Sequence, residues 1–212
     1  YVTIRVGDET IDSRTVVDAE AGTGYFSTTW EGHEVRPEQS DVEVTKVGPG
    51  PAWGALYWQY FEQLDRITPA ETPLSIEKQL FREEITDAGP VLKQLDQITD
   101  LSTGDRITVR IVIRVDRDME YVHLKDMRSA GFEPINVMSG YRYRGGLHYY
   151  ESTRDAATHF FIGYLPKGTY VFEYPLRVNL SGDFSNGITS IQSMYAPEFA
   201  SHSEGTRVEV ID

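Results

Sequence analysis

The chain contains no cysteine. Disulfides, thiolate nucleophiles and Cys-ligated zinc are therefore excluded, although a large all-β domain needs no disulfide even in an oxidising compartment. No apolar run approaches the roughly 20 residues of a membrane-spanning helix, and there is neither a starting Met nor a charged-then-apolar signal segment. The opening residues Tyr1 to Val6 read as mid-strand, so the expectation is a piece cut from a longer protein. Basic runs are also missing. With 20 Lys and Arg against 33 Asp and Glu, the net charge is -13. That argues against nucleic acid, which rewards basic patches through counterion release. It also disfavours contact with anionic lipid and describes a solvated acidic surface.

What the chain does have is alternation. From Thr169 to Leu180, Tyr170, Phe172, Tyr174, Leu176, Val178 and Leu180 fall on one parity, and mostly polar residues fall on the other. A period of two over a dozen residues describes a strand with one face in a core and one in water. Pro166-Lys167-Gly168 has type I turn chemistry, predicting that Thr158 to Leu165 folds back as its antiparallel partner. Asn186-Gly187 is a two-residue hairpin signal that introduces Ile188 to Tyr195. A three-strand meander is thus expected in the second half.

In the first half, Val2 to Val6, Ile11 to Asp18, Tyr25 to Trp30 and Val42 to Lys46 read as short strands. Gly22 and Gly24 suggest a phosphate loop, but Ser27 stands where a third glycine is needed and no helix follows; a tight turn fits better. Gly48-Pro49-Gly50-Pro51 is the densest cluster of chain breakers and is taken as the domain boundary. Residues 1–52 then supply strands from the tail of an upstream β domain, and residues 53–212 form the C-terminal domain. Trp53 to Phe61 is strongly aromatic and reads as a strand buried on both faces, with a ligand-stacking platform as the alternative. Leu74 to Glu84 suits helix or strand, and its alternation favours strand. Arg106 to Val115 alternates cleanly, Met119 to Met127 follows, and Ala130 to Pro134 closes that strand through a helical turn. Tyr141 to Arg144 and Leu147 to Thr153 pair across Gly145-Gly146. Arg207 to Ile211 is a final strand. About eight strands after residue 53 make an all-β antiparallel β-sandwich the expected class.

No catalytic constellation emerges. The histidines (His33, His123, His148, His159 and His202) are scattered, without metal-ligand spacing. No nucleophile elbow exists between Gly182 and Gly187, and Asp116 and Asp118 lack the other ligands of a calcium loop. Glu151, Arg154 and Asp155 read as a salt-bridged turn. No cofactor or metal site is expected.

Several stretches, taken in order, resemble the C-terminal region of bacterial alpha-2-macroglobulin-like proteins. They are Gly104-Asp105 before the Arg106 to Val115 strand, Leu124-Lys125-Asp126, Ala130-Gly131-Phe132-Glu133-Pro134, and Tyr150 to Asp155 with Phe160-Phe161. Leu165 to Tyr170, Tyr174-Pro175-Leu176-Arg177, Gly182-Asp183-Phe184 and Met194-Tyr195-Ala196-Pro197-Glu198 continue the series. The resemblance implies a final macroglobulin-like sandwich, the counterpart of a receptor-binding domain, in an extracytoplasmic bacterial protein of periplasm or cell surface. The whole protein would trap endopeptidases through a bait region and a thioester, neither of which lies in these residues. By the same resemblance, Met194 and Tyr195 would shield the thioester of a neighbouring domain from water; otherwise both pack within their own domain. The expected role is a non-enzymatic scaffold and interdomain lid, with neighbouring domains as direct partners and proteases as partners of the whole. A carbohydrate-binding or adhesin sandwich is the alternative, since 13 tyrosines and three tryptophans suit sugar stacking.

Overall fold

The computed structural model describes residues 1–95 and 101–212. Two compact units emerge, Tyr1–Trp58 and Gln59–Asp212.

The first unit is a three-stranded antiparallel sheet of β1 (Val2–Val6), β2 (Glu9–Asp12) and β3 (Val42–Lys46), with β1 in the centre. The second expected strand stops at Asp12. There the Asp12 carboxylate accepts from the Arg14 backbone N–H at 2.9 Å and from its Nε, while Thr15 N–H closes a turn on the Asp12 carbonyl. This side-chain turn competes successfully with strand extension. Tyr25 to Trp30 forms no strand either and lies largely in solvent.

The second unit is a sandwich of two principal antiparallel sheets. One is built from β4 (Leu74–Thr86), β5 (Gly89–Gln94), β7 (Arg106–Val115), β9 (Phe132–Pro134) and β13 (Gly168–Val178), in the order β5-β4-β7-β13-β9. The other holds β8 (Met119–Met127), β10 (Gly140–Arg144), β11 (Leu147–Thr153), β12 (Ala157–Leu165), β15 (Thr189–Ser193) and β16 (Ala200–His202), in the order β10-β11-β12-β8-β15-β16. A small third sheet contains β14 (Gly182–Ser185), β17 (Arg207–Ile211) and β6 (Leu101–Ser102). The all-β sandwich class is as the alternation predicts.

The core lies between the two principal sheets. Ile107, Val109, Ile111, Ile113 and Val115 of β7 are all buried, as are Phe172, Leu176 and Val178 of β13. Across the gap, Phe172 meets Phe160 and Tyr149, each at 5.1 Å between ring centroids, in tilted or edge-to-face contact. Truncating Phe160, which is 2% exposed, removes ring contacts on both sheets and should cost about 3–5 kcal/mol.

Three expectations about connections fail, each for a physical reason. β12 and β13 are not a hairpin: β12 pairs β8 and β11, whereas β13 pairs β7 and β9. Pro166-Lys167 therefore arches from one sheet to the other. Alternation reports that a face is buried, and it is silent on which sheet buries it. Asn186-Gly187 likewise links β14 and β15 in different sheets. Gly187, at φ 71°, brings its Cα so close to Met127 that a Cβ there would sit 2.6 Å from the Met127 Cβ. Its glycine serves close approach as well as turning. Phe132–Pro134 is a short strand on β13 rather than a helical turn. By contrast, Gly145 and Gly146 take φ 59° and 81° and join β10 to β11 as the two-residue signal predicts.

Trp53 to Phe61 is a larger correction. The segment is neither strand nor core: Trp53 is 89% exposed and Phe61 fully so. Aromatic density alone does not bury a segment that also has no pairing partner.

One polar cluster sits inside the sandwich. Asp126 is fully buried on β8, and Lys78 from β4 reaches it at 2.7 Å while also donating to the Met127 carbonyl. The Tyr174 and Thr189 hydroxyls complete the shell of the carboxylate. Burial first, then the Asp126 charge, hold the Tyr174 phenol well above its usual pKa, so it stays a donor.

Candidate functional site

β15 runs beside β8 in antiparallel register, with Ile191 opposite Leu124 and Ser193 opposite Val122. Ile191 and Ser193 point inward. The strand ends at Ser193, and a turn that includes Pro197, which has no N–H to extend the ladder, closes with the Phe199 N–H on the Ala196 carbonyl at 2.9 Å. Met194 and Tyr195 are the two residues left at that end. They are 57% and 80% exposed, and neither joins the core.

Their position is nevertheless fixed. The Met194 N–H donates to the Tyr121 carbonyl at 2.9 Å, and the Tyr195 ring meets the Tyr121 ring edge to face at 5.1 Å. Tyr121 itself has φ 51°, the one non-glycine residue with positive φ among the described residues. A left-handed residue costs about 1–2 kcal/mol. It resets the parity of β8, so that Met119 and Val122, three residues apart, are both buried while Tyr121 is turned out. The turned-out ring is the one that meets Tyr195. Tyr121 belongs to this patch and is missed from sequence, because nothing in its neighbours announces a left-handed residue inside a strand.

The remaining sequence candidates separate. Glu151 does not pair with Arg154 but approaches Arg142 of the adjacent strand at 3.6 Å, while Arg154 closes a tight turn onto Ala157. His33 lies in the first unit. His123 and His159, 36 residues apart, are brought together by register: His123 Nε2 and His159 Nδ1 are 2.9 Å apart. Their rings are parallel to within 1° with centroids 5.2 Å apart, which leaves just two ring radii beyond the nitrogen contact. The imidazoles therefore meet edge to edge in one plane, sharing a proton, with Phe161 stacked on His123 at 4.8 Å. Burial, then neighbouring positive charge, holds both histidines below their usual pKa. No group of three or more His, Asp or Glu side chains able to hold a metal occurs among the described residues. The exposed rings of β10 and β11 contact one another at steep or tilted angles: Tyr141 on Tyr150 at 73° and Tyr143 on His148 at 34°. They do not form the flat, coplanar row that sugar stacking would use.

The two packed antiparallel sheets define a macroglobulin-like β-sandwich. Residues 74–198 match the family model described as the bacterial alpha-2-macroglobulin MG10 domain, and the chain belongs to that family. Among solved structures it is similar to Salmonella alpha-2-macroglobulin reacted with methylamine, at 18% identity and a TM-score of 0.55, over 69% of this chain and 10% of that one. It is also similar to native Escherichia coli alpha-2-macroglobulin spanning domain MG7 to the C-terminus, at 17% identity and a TM-score of 0.53, over 68% of this chain and 24% of that one. Trypsin-activated alpha-2-macroglobulin from Escherichia coli is similar at 16% identity and a TM-score of 0.54, over 69% and 11% of the two chains. At these identities the likeness establishes the fold, and the chain spans a small part of each of those proteins. No curated protein sequence matches it.

Proposed function

We propose that this chain is a non-catalytic module of a bacterial, extracytoplasmic macroglobulin-like endopeptidase trap, and that Met194 and Tyr195 form a lid over the thioester of a neighbouring domain. The observation that carries this reading is the strand-end patch: two large side chains left in water, with Met194 held to Tyr121 through its backbone and Tyr195 through its ring. Surface Met and Tyr in a fixed position suit an interface, because one adapts and the other brings a rigid amphipathic ring. An apolar cover lowers the access of water to a hydrolysable bond, and the bond then survives until the lid is displaced.

The test uses the intact protein that carries this chain. Methylamine incorporation, which reports an accessible thioester, should be at least about tenfold faster in the Met194→Ala, Tyr195→Ala double variant, a loss of about 1.4 kcal/mol of protection. Equal rates in the two proteins, or no incorporation in either, would contradict the lid.

A further inference from the structure

The outer face of the six-stranded sheet is composed unlike the rest of this acidic chain. Two cross-strand rows can be read from its register. One runs Ser152, His159, Lys125, Ser190, His202, and the next runs Tyr141, Tyr150, Phe161, His123, Gln192, Ala200. Tyr143 and His148 begin a third. Four of the five histidines, contributed by β8, β11, β12 and β16, therefore lie on a single face. No position in these rows is Asp or Glu, on a chain of net charge -13. Lys125 is the one permanent cation, flanked by His159 and Ser190.

We infer that this face is a docking surface for an acidic peptide segment of a partner protein, engaged on mild acidification. Within the rows Lys125 is the permanent cation, and burial disfavours the charged forms of His123 and His159. As those two protonate, positive charge accumulates around Lys125 with no carboxylate in the rows to neutralise it. The groups facing them are Ser152, Tyr150, Tyr141 and Tyr143 on one side, and Ser190 and Gln192 on the other. Arg128 and Arg154 lie near His159 and add further positive charge. Glu120, at the start of β8, pairs with Tyr164 beyond the left-handed Tyr121 and outside the rows.

The His123–His159 pair makes the response stepwise. It can take one proton with its N–H···N bond intact, but a second places two N–H groups nose to nose and breaks the bond. A bound carboxylate between the rings relieves that repulsion, so ligand binding and the second protonation favour each other. The same geometry disfavours a metal, since the two lone-pair directions oppose each other instead of converging.

A peptide is favoured over other anions by scale. Adjacent strands are about 4.8 Å apart, so an extended segment can set its carboxylates over the histidine rows and cover only this face. A lipid surface or a nucleic acid presents a plane or line of charge to the whole molecule, whose net charge repels it. The inference is independent of the lid, since none of its residues is Met194, Tyr195 or Tyr121.

Binding of a fluorescent oligoglutamate peptide to the full chain tests it. Affinity should rise at least about tenfold between pH about 7.5 and about 5.5, reaching about tenfold per pH unit wherever one full proton is coupled to binding. His159→Gln should remove most of that rise, whereas Lys125→Ala should weaken binding at both pH values. In the unmodified chain, imidazole resonances of His123, His148, His159 and His202 should move on adding peptide while that of His33 stays put. This readout does not depend on a variant folding. Binding without pH dependence, movement of His33 alone, or equal affinity for phosphatidylglycerol vesicles or single-stranded DNA would overturn the proposal.

Discussion

The two outer faces of the sandwich cover the same core and are built from opposite materials. On the five-stranded sheet, opposite charges sit on adjacent strands: Arg110 contacts Glu173 at 2.5 Å, Arg106 contacts Glu83 at 3.2 Å and Arg114 approaches Glu77 at 3.6 Å. Arg110 also lies over the Phe81 ring, 4.4 Å from its centroid. On the six-stranded sheet the corresponding positions are rings, imidazoles and hydroxyls. A face of paired charges satisfies itself and repels apolar partners. A face whose rows hold imidazoles and exposed rings but no carboxylate does neither, so the pair of faces teaches which side of the module is free to recognise something.

The largest effect should come from what the two sheets share. Asp126→Ala leaves Lys78, whose side chain is 6% exposed, as a buried cation without its partner. A loss of about 3–5 kcal/mol is expected by urea unfolding. A loss comparable to a surface substitution would mean that water already reaches the cluster.

Next in size is the pH response of the six-stranded face. His123 and His159 have folded pKa values below the ordinary imidazole value because burial disfavours their charged forms. The unfolded chain therefore takes up protons first, and stability should decline as pH falls through 6.5. Replacing both histidines with Gln should flatten that decline. An unchanged slope would place the titration elsewhere.

The charged ladder should give less. Arg114→Ala or Glu77→Ala should cost at most about 1 kcal/mol, because both side chains are about half exposed and the pair is screened. High salt should shrink the difference further. A salt-independent loss above that size would make the ladder structural rather than solvated, and the contrast between the faces would narrow.

Much of this was readable beforehand, and the failures have definite causes. β7 and β13 follow from parity because each has one face in the core, whereas β8 is expected only as the strand after the Asp116–Asp118 turn. The sandwich class follows from those same strands. Lys78 was also legible, though unread: it shares the parity of Leu74, Ile76 and Leu80, just as Asp126 shares that of Val122 and Leu124. Two inward charges of opposite sign predict a buried pair. The His123–His159 contact was not legible, since it depends on the register of β8 against β12. Trp53 to Phe61 misled because aromatic content implies burial only where strands are available to cover it. For Met194 and Tyr195 the strand end and the following proline were visible, but their support by a left-handed Tyr121 was not.

The central claim is that Met194 and Tyr195 are kept in water for a neighbour rather than for their own fold. The most direct measurement follows the double alanine variant twice, as this chain alone and within the intact protein. In the chain alone, unfolding free energy should change by no more than about 0.5 kcal/mol, as for surface substitutions. In the intact protein, free thiol released by spontaneous thioester hydrolysis should appear several-fold sooner than in the unmodified protein. A variant that loses several kcal/mol in the chain alone, with hydrolysis unchanged in the intact protein, would contradict the account.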